Sequence, residues 1–315
     1  MISMHANRRG LIFILGAFLS ALCCLHPLPI LAASPAYSYT LPCPKQETCE
    51  QKTQTIVGIS QRHTVQDGET LLDIARNYGL GFLDLHRLYP EIDPWLPPVG
   101  RELTIPRQWI VPEKGNADIV INLPELRLYY FFQNQDATLV QTYPLGIGKR
   151  ENPSPLGTFP VGEKRKTPYW YIPASLQEKY GTHIMAPGPK NPLGDYWIGL
   201  GRSDYGLHGT NIPWSVGRLA THGCIRLYPE HIRPLFDRIQ RGQKVQILYE
   251  PVKLGVVSGR VYAQAYPDIY NRIDDYLYYA YQRLSALTDP SKVDLQKFRW
   301  VLQKQNGLPA DISKY

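Results

Sequence analysis

The chain has 315 residues with 43% hydrophobic and 19% charged residues, which is enough apolar sequence for one sizeable core and a smaller companion. Its formal net charge is +7. This mildly basic balance suits a polyanionic surface or wall. The basic residues are scattered along the chain, so we exclude nucleic acid as a partner.

The first 33 residues have the pattern of a secretory signal peptide. Arg8 and Arg9 precede an uncharged, mainly apolar run over 11–25, and small residues at 31–36 offer a cleavage site. The run ends before Pro27, short of the roughly 20 residues that span a bilayer. Cleavage is therefore favoured over a retained anchor, and the sequence predicts an exported protein of the periplasm or cell wall with a charge of about +5.

Cysteine usage separates one thiol from the others. Cys23 and Cys24 lie in the leader, where the bulky residue before Cys23 disfavours a lipoprotein anchor. Cys43 and Cys49 are close in sequence, and we predict that they pair in an oxidising compartment. Cys224 is then left unpaired, and reactivity is the simplest reason for keeping a free thiol there.

After an N-terminal arm at 34–61, residues 62–106 follow the order strand, helix, helix, strand. The segment DGETL at 67–71 introduces the first helix, whose apolar residues repeat at helical spacing. This segment resembles the LysM module, a small α+β unit whose members bind the N-acetylated sugars of peptidoglycan or chitin. The resemblance implies glycan binding at Gly68, Glu69 and Thr70. The alternative is a small lobe that only packs on its neighbour.

Residues 117–249 alternate as β-strands separated by long Pro- and Gly-rich loops, which predicts a mostly antiparallel β domain. We predict one helix there, at 229–241. Residues 250–315 read as a mostly helical C-terminal extension, with helices at 269–284 and 293–305. A packing role is predicted for this extension, with partner binding or substrate shielding as the alternative.

The segment 207–227 contains the candidate chemistry, and the residues alone leave three interpretations. His208, His222 and Cys224 could hold zinc, although a fourth ligand is missing. The glycines could serve only a structural turn. In the third interpretation Cys224 is a nucleophile and either histidine accepts its proton, forming an ion pair that lowers the thiol pKa.

Several separated motifs around Cys224 carry a family resemblance. They are HGTN at 208–211, SVG at 215–217, THGCIRL at 221–227, SPLGTF at 154–159 and NPLG at 191–194. Residues 117–249 thereby resemble the YkuD-type L,D-transpeptidases. The resemblance implies a mainly β, β-sandwich-like catalytic domain that acts on peptidoglycan stem peptides without a metal or organic cofactor.

The resemblance also implies roles for the site residues. Cys224 is the nucleophile and His208 the general base, with the Gly209 carbonyl orienting the imidazole. Backbone N–H groups around Gly223 and Cys224 stabilise the oxyanion.

Three further motif positions belong to substrate binding. Arg226 holds a substrate carboxylate, because guanidinium suits bidentate pairing. His222 shapes the site, and Thr221 keeps the hydroxyl of the serine that is usual there. The gap between His208 and Thr221 is short for the family, which affects the loop geometry.

The sequence therefore predicts a transpeptidase that forms a cysteine thioester with a tetrapeptide stem, releases D-Ala and transfers the acyl group to an amine. The acceptor is a neighbouring stem or a lysine of a wall-anchored lipoprotein. The alternatives are a thiol hydrolase on the same stems and a non-catalytic wall-binding protein. The expected partners are stem peptides and glycan strands, and the sequence makes no prediction of oligomeric state.

Overall fold

The computed structural model describes residues 38–44, 56–134 and 137–314. The predicted leader lies outside these residues, as do Cys49 and the side chain of Cys43, so the predicted disulfide is outside them too. Within the described residues, no helix has both the length and the apolar character needed to cross a bilayer. The described segments belong to one compact unit.

The elements before residue 111 are short and are mostly paired with one another. They are β1 (Ser38–Pro44), β2 (Ile56–Gly58), β3 (Gln61–Thr64), α1 (Leu71–Asn77), α2 (Phe82–His86), β4 (Glu102–Ile105) and β5 (Gln108–Ile110). β3 pairs with β4 and β2 with β5, both antiparallel. We call residues 56–110 the N-terminal module. Between β2 and β5, the order β3, α1, α2, β4 agrees with the strand, two helices and strand predicted for 62–106.

Thr70 begins the first helix because its side chain replaces a missing backbone partner. Its hydroxyl accepts the Asp73 N–H, and the Asp73 carboxylate in turn accepts the Thr70 N–H. Leu71, Ile74 and Ala75 then fall on one buried face of α1. The helical spacing in the sequence predicted this face.

The central region, residues 117–249, consists mainly of strands. Its elements are β6 (Ile119–Asn122), β7 (Arg127–Asn134), β8 (Ala137–Pro144), β9 (Ile147–Gly148), β10 (Gly157–Lys166), β11 (Trp170–Tyr171), α3 (Ala174–Tyr180), β12 (Ile184–Met185), β13 (Tyr196–Leu200), β14 (Gly206–His208), a 3₁₀ turn (Pro213–Ser215), β15 (Leu219–Thr221), β16 (Ile225–Arg226), α4 (Pro229–Arg238) and β17 (Lys244–Leu248). The predicted helix at 229–241 is confirmed, although it ends three residues earlier.

A nine-stranded main sheet organises the described residues, in the order β1-β8-β7-β6-β17-β10-β13-β14-β16. Neighbours are antiparallel except for β6 with β17 and β14 with β16. β10 connects the two ends of this sheet, because its first part, Gly157–Pro160, pairs with β17 and its second part, Val161–Lys166, pairs with β13. A register shift between Val161 and Lys164 bends the strand there. The sheet therefore curls, and β14 and β16 lie at one end of it.

The two faces of the main sheet bury different parts of the chain. On β7, Leu128 and Tyr130 point into the core of the central region. Tyr129 and Phe131 point the opposite way and pack with the apolar residues of the N-terminal module. Successive side chains of a strand point to opposite faces of the sheet. A strand that is covered on both faces therefore has an unbroken run of apolar residues.

The C-terminal extension, residues 250–314, combines strands and helices, so the prediction of a mostly helical extension is not confirmed. Its elements are β18 (Val252–Val257), β19 (Arg260–Ala265), α5 (Tyr276–Leu287), a 3₁₀ turn (Pro290–Lys292), α6 (Leu295–Lys304) and β20 (Ala310–Asp311). The three strands form one antiparallel sheet against which both helices pack. The predicted second helix is confirmed within two residues at its start.

The predicted start of α5 at residue 269 was wrong. The Asp268 carboxylate accepts the backbone N–H groups of Arg272 and Ile273, and Asn271 has a φ of 51°. These contacts hold residues 268–273 in a turn that is incompatible with a helix. Asp275 then caps the helix by accepting the Tyr278 N–H.

Candidate active site

Two short parallel strands bring the central motif together. β14 ends in His208 and β16 begins at Ile225, with Leu207 opposite Ile225 and His208 opposite Arg226. Cys224 directly precedes β16 and so lies beside Gly206. The Gly206 backbone N–H favours the thiolate form of Cys224 and so opposes the rise in its pKa. The sheet therefore places the thiol and the imidazole at the same edge, one strand apart.

His208 is held in one tautomer by its neighbours. Its Nδ1 lies 2.6 Å from the Gly209 carbonyl oxygen, and because a carbonyl only accepts, Nδ1 carries the proton. Nε2 of the neutral ring is then the free basic nitrogen. The Trp197 ring stacks on the imidazole at 5.9 Å between centroids and 22° between planes. The base is thus oriented by a carbonyl and an aromatic face.

The pKa shifts favour a neutral pair in the resting site. Burial, with the charge of Arg226, lowers the pKa of His208 to about 3. Burial raises the pKa of the Cys224 thiol, and this outweighs the opposing effects of the Gly206 N–H and Arg226. The structure therefore differs from the ion pair expected from sequence, because the imidazolium would be desolvated next to a guanidinium.

The turn before Cys224 requires glycine. Gly223 has a φ of +102°, and a Cβ there would lie 2.4 Å from the Tyr205 ring. The Thr221 hydroxyl braces the same turn: it accepts the Gly223 N–H at 3.2 Å and donates to the Cys224 carbonyl at 2.5 Å. The Cys224 thiol donates to the Asp204 carbonyl at 3.8 Å. Thr221 therefore fixes the backbone of the turn.

Arg226 places an uncompensated positive charge beside the thiol. Its Nη1 donates to the Ser215 hydroxyl at 3.3 Å, and that hydroxyl donates to the Ile212 carbonyl at 2.6 Å. Within the described ranges no carboxylate forms a salt bridge with Arg226, and its Nε has no hydrogen-bond partner. Burial lowers the pKa of Arg226. The site can therefore receive an anionic group.

His222 lies apart from the buried His208 and the half-buried Cys224. It is exposed, and partial burial together with the charges of Lys149, Lys179 and Arg226 lowers its pKa. In the part of the chain that the structure describes, no group of three or more His, Cys, Asp or Glu residues is arranged to hold a metal ion. His222 thus stands at the surface of the site, surrounded by positive charge.

Sequence reasoning missed the aromatic residues that shape the site. Trp197 stacks on His208, and Tyr205 fills the space next to Gly223. Neither stands in a recognisable motif, and both reach the site only because β13 and the loop before β14 neighbour it in the sheet. The SVG motif did point to Ser215, although not to its contact with Arg226.

In the N-terminal module, the predicted glycan-binding residues make internal contacts. The Glu69 carboxylate accepts from His63 Nε2 at 2.7 Å and from the Gln66 N–H at 2.8 Å. Thr70 caps α1, and Gly68 has a φ of +79° with open space around it. The Leu71 N–H donates a hydrogen bond to the Pro94 carbonyl and so joins this turn to the adjoining loop. Large apolar side chains are exposed on that loop. They are Trp95, Leu96 and Val99.

Comparisons with known proteins identify the family of this chain. The YkuD family, described as the L,D-transpeptidase catalytic domain, matches residues 116–247. A probable L,D-transpeptidase of Escherichia coli, YcfS, is 30% identical over 91% of this chain and 92% of its own length. Two others from the same organism are similar: ErfK/SrfK is 34% identical over 82% of this chain and 87% of its own, and YbiS is 35% identical over 63% and 67%. The chain therefore belongs to the L,D-transpeptidase family and is an enzyme of that class.

The central region is accordingly an L,D-transpeptidase catalytic domain with a mainly β, curled sheet. A solved L,D-transpeptidase from Mycobacterium tuberculosis is 16% identical over 41% of this chain and 56% of its own, with a TM-score of 0.30. At that score the similarity adds nothing to the assignment, which rests on the family and the curated relatives.

Proposed function

We propose that Cys224 is the nucleophile and His208 the general base of an L,D-transpeptidase reaction on peptidoglycan tetrapeptide stems. The observation that carries this is the bond from His208 Nδ1 to the Gly209 carbonyl, on the strand next to Cys224. It leaves Nε2 as the basic nitrogen on the strand next to Cys224, whose thiol is free.

The first step is acylation of the thiol. Nε2 of His208 accepts the thiol proton as the sulfur attacks the carbonyl of the third stem residue. The neutral resting pair suits this order, because the proton leaves the sulfur only as the bond to carbon forms. The tetrahedral intermediate then expels D-Ala, whose nitrogen takes the proton from His208, and a thioester remains on Cys224.

Backbone and guanidinium groups support this step. The Gly223 N–H already donates to the Thr221 hydroxyl, so in our proposal the Cys224 N–H is the principal oxyanion donor. Arg226 pairs with a carboxylate of the stem, because it is a largely buried cation without a carboxylate partner. His222 lies at the surface of the site, and the positive charges around it suit an anionic stem peptide.

The second step transfers the acyl group to an amine. The amine attacks the thioester carbonyl, His208 accepts one amine proton, and the regenerated sulfur takes the proton back. We propose a stem amine or a lysine of a wall-anchored lipoprotein as acceptor, and a periplasmic or cell-wall location after export. Mass spectrometry of the products with both acceptors present distinguishes them. A free acid as the main product would instead establish the hydrolase.

A kinetic comparison tests the assignment of residues. Cys224→Ala is expected to fold and to release no D-Ala from a tetrapeptide; an active alanine variant would falsify the nucleophile. His208→Ala should slow acylation by about 10²-fold or more. His222→Ala is the matched control, since this histidine is exposed, and we expect only a few-fold change. A larger loss in His222→Ala than in His208→Ala would reverse the choice of base.

We also propose that the N-terminal module is a LysM-like unit that binds glycan strands. The exposed Trp95 next to the turn at Gly68 supports this, because an indole face stacks on sugar rings. Glu69 and Thr70 contribute by holding the turn. Pull-down on insoluble peptidoglycan tests the proposal: Trp95→Ala should weaken binding several-fold, and Trp214→Ala, which removes a tryptophan of similar exposure, should not. Equal binding by all three proteins would contradict it.

A further inference from the structure

The loop at residues 148–154 forms one wall of the Cys224 turn. The Lys149 N–H donates to the Thr221 carbonyl at 3.0 Å, directly before the turn. Pro153 belongs to this loop, and a Cβ at Gly223 would lie 3.4 Å from its carbonyl oxygen. The position of the loop therefore limits the position of the Gly223–Cys224 backbone.

The C-terminal extension holds this loop at both ends through Tyr270. The Tyr270 hydroxyl donates to the Gly148 carbonyl at 2.6 Å and accepts the Ser154 N–H at 3.4 Å. A second contact joins the same parts, from Arg150 Nε to the Ile269 carbonyl at 2.9 Å. One hydroxyl thus bridges the first and last residues of the loop.

Tyr270 is itself fixed by Tyr249 at the end of the central region and, through it, by Asp268 of the extension. Its N–H donates to the Tyr249 hydroxyl at 2.8 Å, and the two rings stack at 5.9 Å with 20° between planes. The Tyr249 hydroxyl bonds to the Asp268 carboxylate, which also accepts the N–H groups of Arg272 and Ile273. This network explains why residues 268–273 form a turn in place of the predicted helix.

We propose that Tyr270 is a positioning residue for acyl transfer, through which the C-terminal extension holds the 148–154 loop against the Cys224 turn. The inference rests on the proposed function of Cys224. Tyr270 touches neither the thiol nor the imidazole in the structure, so its effect passes through the Gly148 and Thr221 backbone. It gives the extension a role in the reaction besides packing.

The expected consequence is a selective loss in the chemical step. Without the hydroxyl, the Gly148 carbonyl and the Ser154 N–H lose their bond to the extension. The Gly148 N–H still donates to the Ser154 hydroxyl at 3.0 Å, so the loop keeps its shape but can shift together with the turn. A misplacement of about 1 Å at a reacting group costs on the order of 10²-fold in rate. We therefore expect kcat for acylation to fall by about tenfold or more, with KM for the tetrapeptide within about twofold, since Arg226 is held separately by Ser215.

Tyr270→Phe is the direct test, because it keeps the ring and removes only the hydroxyl. Tyr276→Phe is the matched control: its hydroxyl lies in the same extension and donates to the Tyr266 carbonyl, also at 2.6 Å, without touching the 148–154 loop. Arg150→Met removes the second contact from an exposed residue and tests the same loop if Tyr270→Phe does not fold. Thermal melting reports on folding in each case.

Two readouts separate this inference from the proposed function. The first is single-turnover thioester formation, and the second is the alkylation rate of Cys224 by iodoacetamide, which needs no substrate. A loss of kcat in Tyr270→Phe but not in Tyr276→Phe supports the role, and Arg150→Met takes the place of Tyr270→Phe in this comparison if Tyr270→Phe does not fold. If the wild type forms no thioester, the proposed function fails. In that case an alkylation rate that changes about threefold or more in Tyr270→Phe, and not in Tyr276→Phe, still supports the positioning of the Cys224 turn by Tyr270. Wild-type behaviour of Tyr270→Phe, or equal losses in Tyr270→Phe and Tyr276→Phe, overturns it.

Discussion

At Cys224 and His208, the pKa shifts determine how reactivity depends on pH. Burial raises the thiol pKa and lowers the imidazole pKa to about 3, so the resting pair is neutral at pH 5 to 8. A thiol in this state is activated only when its proton passes to Nε2. The thiol therefore loses its proton only during its attack on the substrate, and no thiolate is stored in advance.

Two reactions of the same thiol should therefore respond differently to pH. Alkylation by iodoacetamide requires the thiolate, so its rate should rise about tenfold per unit from pH 6 to 8. Acylation by a tetrapeptide uses neutral imidazole, which stays unprotonated down to about pH 3, so its rate should be nearly flat from pH 5 to 8. Both rates are measured by mass spectrometry of the protein.

His222→Gln should leave both profiles unchanged, because His222 is exposed and lies outside the pair. An alkylation rate independent of pH over this range would show a preformed thiolate–imidazolium pair. An acid limb in acylation near pH 6.5 would show that His208 retains an ordinary pKa.

At the scale of residues, the sequence indicated which residues form the site but not the environment that sets their pKa values. The spare thiol and the motif order selected Cys224 and His208 for the site. The depressed pKa of His208 depends on burial beneath Trp197 and on Arg226, which reaches it only through the pairing of β14 with β16. No local pattern in the sequence encodes that environment.

At the scale of elements, the start of α2 rests directly on the segment between His208 and Cys224. The Phe82 N–H donates to the Val216 carbonyl at 3.2 Å and the Leu83 N–H to the Gly217 carbonyl at 3.3 Å. Gly81 lies against Gly217 at the same point, which leaves no room for a Cβ on either residue. Nearby, Arg76 binds the Glu230 carboxylate of α4 with two bonds. The N-terminal module and the catalytic motif are therefore packed backbone to backbone.

Gly217→Ala should separate this packing from ordinary backbone strain. Its φ is +80°, and a Cβ there would lie 2.1 Å from Phe82 N. Gly100→Ala is the matched control, since Gly100 has the same φ of +80° and open space around it. Each alanine should cost about 1–2 kcal/mol of strain, and Gly217→Ala about 1–3 kcal/mol more through overpacking.

Urea unfolding measures both free energies. Equal losses in the two variants would mean that the contact between Gly217 and α2 contributes nothing. The larger loss in Gly217→Ala should be accompanied by slower acylation, because the displaced segment contains Ser215, which holds Arg226.

The sequence predicted elements well where local signals act alone. The apolar face of α1 and the helix at 229–241 follow from propensity and period. The helix predicted from residue 269 failed because Asp268 takes the N–H groups that would begin it. The bend in β10 was not predictable, since it results from pairing with two different strands.

At the scale of the whole molecule, a buried ion pair joins all three parts of the described chain. Lys253 of the extension lies 2.7 Å from Glu125 of the central region, and both side chains are fully buried. Lys253 also donates to the Ile110 carbonyl of the N-terminal module at 2.6 Å, and the Tyr129 hydroxyl bonds to Glu125. Burial lowers the pKa of Lys253, while the Glu125 charge opposes the shift.

Lys253→Met should be strongly destabilising because it leaves Glu125 buried without a partner. Losing one member of a buried pair costs about 3–5 kcal/mol. Adding Glu125→Gln should recover part of the loss by removing the charge. Urea unfolding should show one transition throughout, since the three parts share this cluster. Separate transitions, or a double variant less stable than Lys253→Met, would contradict the account.

This cluster could not be predicted from the sequence, because a lysine and a glutamate 128 positions apart are expected at the surface. Differences in composition along the sequence did indicate three parts: an N-terminal module, a central region and an extension. Their union depends on strand faces such as Tyr129 and Phe131, which are covered only when the module packs on them.

The most direct test of the central claim is peptide mapping by mass spectrometry after mixing the protein with a tetrapeptide donor and no acceptor. We predict an adduct with the mass of the stem lacking its terminal D-Ala, bound through a thioester to Cys224. It should be removed by hydroxylamine and be absent from Cys224→Ala. An adduct at another residue, or release of D-Ala by Cys224→Ala at the wild-type rate, would contradict the account.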